Sequence, residues 1–328
     1  MLANFTDKLS QAILHTLTYS DIFDYPLTEL EVHQYLTGIK ASFEEVTEAL
    51  EDGPIRRTGN YFTLPGREAI VSIRLDREAR SQKLLPHALR YGRILGALPY
   101  ICMVALTGSL AVMNISESAD FDYMLVAARG RVWTARAFAL ALNRLTRLSG
   151  HTICPNLIVS EDALEWRLHD LYSARELCQM IPITGLDVYK QLLNANHWTN
   201  EFLPNAFLES NSKLFENTQE HTLTGTGVPS IQSLLEIPLR GKFGDRFESW
   251  EMDRKIARFS KQAGFGEETI FNADVCQGNF HHHRSSTREA FVTKLSALTA
   301  VPGGDFVGDQ SPSRGDASLR TAIGVNKL

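Results

Sequence analysis

The residues with the clearest capacity for chemistry lie between 101 and 126. Ile101-Cys102-Met103-Val104-Ala105-Leu106 is a short apolar run ending on Thr107-Gly108-Ser109, and ten residues later Asp120-Phe121-Asp122 leads into a second run, Tyr123-Met124-Leu125-Val126. Both runs read as buried strands. Side chains alternate along a strand, so Asp120 and Asp122 share one face about 7 Å apart while Phe121 and Tyr123 take the other. Two carboxylates that close repel unless a cation joins them. Hard oxygen ligands of this kind suit Mg²⁺, which takes one or two carboxylates together with the phosphates of a substrate. Gly108 allows a ligand to approach the backbone at the strand end, and Ser109 offers a hydroxyl and an N–H at the start of a helix, a cradle for phosphate.

This pattern of apolar strand, Gly-Ser, a spacer and Asp-x-Asp resembles the nucleotidyltransferase superfamily, with its DNA polymerase β-like fold, over about 100–160. The flanking Tyr19-Ser20-Asp21-Ile22-Phe23-Asp24-Tyr25-Pro26, Asn196-His197-Trp198 and Phe202-Leu203-Pro204-Asn205 look like those of prokaryotic nucleotidyltransferase-domain proteins. The resemblance implies that Gly108 and Ser109 hold nucleotide phosphates and that Asp120 and Asp122 bind two Mg²⁺ ions. The implied reaction moves an NMP, with AMP the expected one, from an NTP to an acceptor hydroxyl with release of pyrophosphate. Active members commonly add a third carboxylate from the following strand. In Thr152-Ile153-Cys154-Pro155-Asn156-Leu157-Ile158-Val159 the inward polar candidate is Asn156, an amide that can ligate a metal but neither carries charge nor acts as a base. Two readings therefore stay open: a nucleotidyltransferase acting on a small molecule, a protein or an RNA, and a catalytically impaired nucleotide-binding regulatory protein of the same fold.

Charge around the pair favours a nucleotide. Between Tyr123 and Ser160 there is no Asp or Glu, yet Arg129, Arg131, Arg136, Arg144 and Arg147 occur. Arg131 and Arg136 are expected to contact phosphate. Arg144 and Arg147 share a helix face with Arg136 and read equally well as a solvated surface. His281-His282-His283 reads as a surface loop, because consecutive residues of a regular element cannot converge on one ion. Trp133, Trp166 and Trp198 read as core, and Ser109 lacks the His–Asp partners of a serine hydrolase.

The chain that must position these groups has 328 residues and a formal charge of -5, enough for two or three domains. Its composition excludes wholesale disorder and a fibrous rod. Cys102, Cys154, Cys178 and Cys276 form no CxxC pair, which argues against a disulfide scaffold or a cysteine zinc site and for a reducing compartment. With no signal-like N-terminus and no apolar run near 20 residues, a cytoplasmic location and no membrane partner are expected.

Helical spacing through Leu9, Ile13 and Leu17, a helix capped by Thr28, a capping box at Ser42 and Glu45, and two extended runs about Gly59-Asn60 indicate a winged-helix-like module over 1–75. Residues 1–70 hold five basic against eleven acidic groups, so duplex DNA is a disfavoured partner and a transcription regulator a disfavoured function. A nucleotidyltransferase core with a short mixed sheet is expected over 76–160, a helical C-terminal domain over 161–298 and a disordered tail over 299–328. The fold class is α+β.

Overall fold

The fold is described from a computed structural model covering residues 7–52, 55–117, 120–206 and 231–299. Local signals set the N-terminal elements. Helix α1 (Lys8–Asp21) begins where Asp7 accepts a hydrogen bond from the Ser10 amide at 2.7 Å. Strand β1 (Leu27–Thr28) leads into α2 (Glu29–Gln34), where Thr28 and Glu31 cap each other reciprocally. Ser42 and Glu45 do the same for α3 (Phe43–Asp52). β2 (Arg56–Thr58) and β3 (Tyr61–Thr63) pair about the Gly59-Asn60 turn, giving an antiparallel sheet of order β1-β3-β2.

This module does not end at 75. Helix α4 (Ile70–Gly96) runs unbroken through that position. Ile13, Leu17, Leu27, Val32, Val46 and Phe62 also belong to the same buried cluster as Met103, Ala105, Met124 and Val126 of the central sheet. A buried ion pair sits at the junction: Arg74 of α4 donates from Nη2 to Glu31 Oε1 at 2.8 Å and from Nη1 to the Pro26 carbonyl at 3.0 Å. The Tyr25 hydroxyl lies 2.9 Å from Glu31 Oε1 and 2.8 Å from the Val112 carbonyl, which ties the module to the loop bearing Ser109.

The central sheet is mixed. β4 (Ile101–Thr107), the single turn α5 (Gly108–Ala111) and β5 (Phe121–Ala127) form an antiparallel unit. α6 (Val132–Thr146) then crosses over to β6 (Ile153–Ser160), parallel to β5. The remaining elements are α7 (Leu171–Gln179), β7 (Ile181–Thr184), α8 (Leu186–Ala195), α9 (Ile231–Glu236), α10 (Lys242–Phe259), β8 (Thr269–Phe271), β9 (Val275–Gly278) and α11 (His283–Thr299). Among the described residues the sheet order is β7-β4-β5-β6-β9-β8.

Period-two alternation sends Met103, Ala105, Met124, Leu157 and Val159 towards residues of α1, α7, α8 and α11. Val104, Leu106, Tyr123, Leu125 and Ile158 face α4, α6 and α10. Both faces are covered, hence the continuous apolar runs. The helical domain expected over 161–298 also holds three strands: β7, β8 and β9 extend the central sheet. These strands are three or four residues long, too short to show a period, and Pro182 sits where a strand tolerates it, on the edge strand β7. The tail, after Thr299, lies outside the described residues. Among the described residues no helix is long and apolar enough to cross a membrane.

Candidate functional site

Antiparallel pairing with Thr107 opposite Asp122 brings the end of β4 beside the start of β5. Gly108 then turns the chain at φ +66°, and a Cβ there would lie 2.6 Å from Asp122 Oδ2. Only glycine allows both the left-handed backbone and this approach. Helix α5 has four residues, so Ser109 brings its hydroxyl and N–H without a helix dipole worth the name. Gly108→Ala is expected to cost about 1–3 kcal/mol and to weaken any cation- or phosphate-dependent binding at Asp122 by more than tenfold. Urea unfolding checks the stability loss; an alanine variant as stable as wild type would refute the placement.

A cavity of about 480 Å³ opens over this turn, within the usual size of small-molecule sites. Thr107, Gly108, Ser109 and Asp122 form its sheet side; Tyr19 and Ser20 of α1 and Tyr172, Arg175 and Glu176 of α7 face them. Its electrostatics are uncompensated. Burial, then the neighbouring Asp120, push the Asp122 carboxyl up to about 7, against a hydrogen bond from the Cys154 thiol. Burial, with Asp122 adding to it, raises Glu176 to about 7 as well. Burial and the two aspartates push the Cys154 thiol up to about 12, so it stays a donor.

Arg175 stands on the same wall as the acids, 2 % exposed. Its Nη2 reaches Ser20 Oγ at 3.3 Å, and its guanidinium lies 5.0 Å from the Tyr19 ring and 4.4 Å from that of Tyr35. Nε has no hydrogen-bond partner, and no ion pair to Arg175 occurs among the described residues. Burial lowers its pKa from the ordinary value. A guanidinium held out of water without a counter-ion is costly, and Thr107 Oγ1, beside Gly108, is buried without a hydrogen-bond partner as well.

The site residues read from sequence divide into two groups. Gly108, Ser109 and Asp122 meet in this cavity, and Asp120, exposed just before β5, lies close enough to shift Asp122 while lining a neighbouring cavity. Arg136 lines that second cavity too. Arg131 does not join them. It precedes α6, beyond the far end of β5, where it pairs with Asp245 at 2.7 Å and stacks 5.3 Å from the Tyr100 ring. A strand of seven residues spans about 20 Å, and this separates Arg131 from the aspartates.

Asn156 is not the residue beside Asp122. The β5–β6 register pairs Asp122 with Cys154 and then skips from Pro155 to Leu157, leaving Asn156 as an exposed bulge residue that borders both cavities. Trp133 and Trp198 are core, whereas half-buried Trp166 lines the main cavity. Arg144 and Arg147 are exposed. His281 and His283 stand at the rim of the main cavity. Among the described residues no group of three or more His, Cys, Asp or Glu side chains is placed to hold a metal ion alone.

The flanking motifs are mostly structural. Asp21 and Asp24 pair with Arg67. Asn196 binds the Leu164 and Leu192 carbonyls, and Asn205 those of His33 and Ala41.

Arg175 and Glu176 are the members that sequence reasoning missed. A usable signal existed: Leu171, Ala174 and Cys178 mark the buried stripe of α7, and Arg175 falls inside that stripe, where a charge needs a reason. No family model, curated protein or solved structure matches the chain.

Proposed function

We propose that the chain is an Mg²⁺-dependent nucleotidyltransferase, moving an NMP, with AMP the first choice, from an NTP to an acceptor hydroxyl. The observation that carries this reading is one cavity with two open charges: Asp122, raised by burial and by Asp120, and the buried Arg175 without a carboxylate partner. A nucleotide triphosphate with its cation satisfies both. The donor set fits Mg²⁺, which needs only one or two protein carboxylates when phosphates complete its shell; Asp120 and Asp122 would hold it. When bound, the ion neutralises the phosphates and the departing pyrophosphate.

The chain's own groups then have separate tasks. Ser109, through its hydroxyl and N–H, and Arg175 hold phosphate oxygens. Tyr19, Tyr172 and the helical wall exclude water. The acceptor oxygen bonds to the α-phosphorus as the bond to pyrophosphate breaks, and the leaving group takes that electron pair. The hydroxyl proton passes to the Glu176 carboxylate, which burial tunes near neutral pH, where a general base works best. The winged-helix-like module serves this site by supplying Tyr19 and Ser20. Its acidic third helix speaks against DNA.

A second reading, a nucleotide-binding regulator without turnover, draws support from the lack of a third acid grouped with Asp120 and Asp122 among the described residues. Calorimetry with Mg·ATP tests the common ground. Wild type is expected to bind and the Asp120→Asn/Asp122→Asn double variant to lose at least tenfold; equal binding by both, or by neither, rejects both readings. Pyrophosphate release separates them. It should occur in wild type and fall at least 100-fold in Glu176→Gln with Mg·ATP binding retained, whereas the regulator releases none with any acceptor.

A further inference from the structure

The second cavity, about 200 Å³, lies on the other side of the aspartate pair. Cys154, Asn156 and Gly278 border both cavities, with Asp120 lining the second and Asp122 the first. The second has a distinct chemistry. Its charged groups are Asp120, Arg136 and Arg147, and the rings of Phe259, Phe271 and Phe280 line its floor. Those rings pack on one another with centroids 4.9 and 5.9 Å apart.

Arg136 is the notable member. Its guanidinium lies 5.0 Å from the Phe259 ring and touches the Cys276 sulfur, yet Nη1 is buried without a hydrogen-bond partner. Among the described residues neither Arg136 nor Arg147 has an ion pair with a carboxylate. The nearby Lys255 adds a further positive charge, itself paired with Glu251 at 3.7 Å. Two unpaired arginines above an aromatic floor favour an anion attached to an apolar body.

We infer that this second cavity binds the acceptor, and that the acceptor is a small phosphate monoester with an apolar, ring-like body. Arg136 and Arg147 hold its phosphate, the phenylalanines hold its body, and its hydroxyl reaches the aspartate pair across the shared border. The acceptor role rests on the nucleotidyltransfer reading; the anion site itself does not.

Phenyl phosphate is the probe, titrated into the full chain by calorimetry beside phenol and inorganic phosphate. Phenyl phosphate should bind at least tenfold more tightly than either. Saturating Mg·ATP should leave its affinity unchanged. Arg136→Met should weaken it at least tenfold, Arg136→Lys by no more than about threefold, and Arg147→Gln, an exposed change that leaves folding intact, by about threefold or more. Displacement by Mg·ATP would place the probe in the nucleotide cavity and overturn the inference, as would no binding, or wild-type binding in both Arg136→Met and Arg147→Gln. If Mg·ATP fails to bind while phenyl phosphate binds in an Arg136-dependent way, nucleotidyl transfer falls and the anion site stands.

Discussion

Asp122→Asn will make the protein without added cations more stable at pH 8, by roughly 3 kcal/mol, and, on the proposed function, will abolish stabilisation by Mg²⁺. Asp122 and Glu176 both have carboxyls raised to about 7 in the folded chain, against ordinary values of 3.8 and 4.5. Below about pH 4 both groups are protonated whether or not the chain is folded, and they cost nothing. As pH rises from 4 to 7 the unfolded chain releases these protons while the native state keeps them, so stability falls. Above 7 the full penalty of two buried, mutually repelling carboxylates remains. An amide at 122 keeps the shape, removes one charge and relieves Glu176. Urea unfolding in EDTA at pH 5 and pH 8 should show a steep loss for wild type and a shallow one for the variant. Added Mg²⁺ at pH 8 should restore wild type only. An identical pH slope in the two proteins would show that Asp122 is not the buried charge described.

Arg74→Met should cost about 3–5 kcal/mol, a large part of the roughly 5–15 kcal/mol that keeps a domain folded. The Arg74 side chain is 6 % exposed, 2.8 Å from Glu31 and 3.8 Å above the Tyr25 ring. Burial alone pushes the Glu31 carboxyl up, but Arg74, the Thr28 amide and the Tyr25 hydroxyl together hold it below its ordinary value. Methionine replaces the volume and leaves Glu31 charged in a pocket built for an ion pair. Glu31 therefore stabilises the fold above its unfolded pKa, and the contribution is lost as pH falls. The variant's deficit should accordingly shrink at pH 4. A second change, Glu31→Leu on the Arg74→Met background, should recover more than half of the loss. If the double variant is as unstable as the single one, packing rather than the stranded carboxylate is responsible.

The half of the site that lies within a few residues of one turn was legible from sequence. Thr107-Gly108-Ser109 and Asp120-Phe121-Asp122 are joined by a short connection, and strand alternation fixes which side chains share a face. Asp122 and Met124 accordingly face one layer and Tyr123 and Leu125 the other. The other half arrives by tertiary packing. No spacing rule ties Glu176 to Asp122, fifty-four positions apart in the chain; only the docking of α7 beside α5 joins them. Asn156 was misplaced because a one-residue bulge shifts every later side chain of β6 relative to β5, and such a bulge has no signature in Cys-Pro-Asn-Leu. Arg131 was recoverable in principle. It follows the C-terminal end of β5 while Asp122 lies at the N-terminal end, and strand length alone sets them apart. The N-terminal helices and hairpin were legible locally from their caps and the Gly59-Asn60 turn, but capping motifs say nothing about whether a module shares its core with the next.

Asp21 has one more consequence, which concerns the time at which the chain is made. It ends α1, where a negative charge opposes the helix dipole, and its side chain is 4 % exposed. Two cations attend it: Arg67, at 2.7 Å, and Lys294, 273 positions later in the chain. At about 5–20 residues per second, a ribosome needs roughly 15–50 s to get from the first of these residues to the last. During that interval Arg67 is the only one of the two already synthesised. Only with α11 does the second cation, Lys294, reach Asp21.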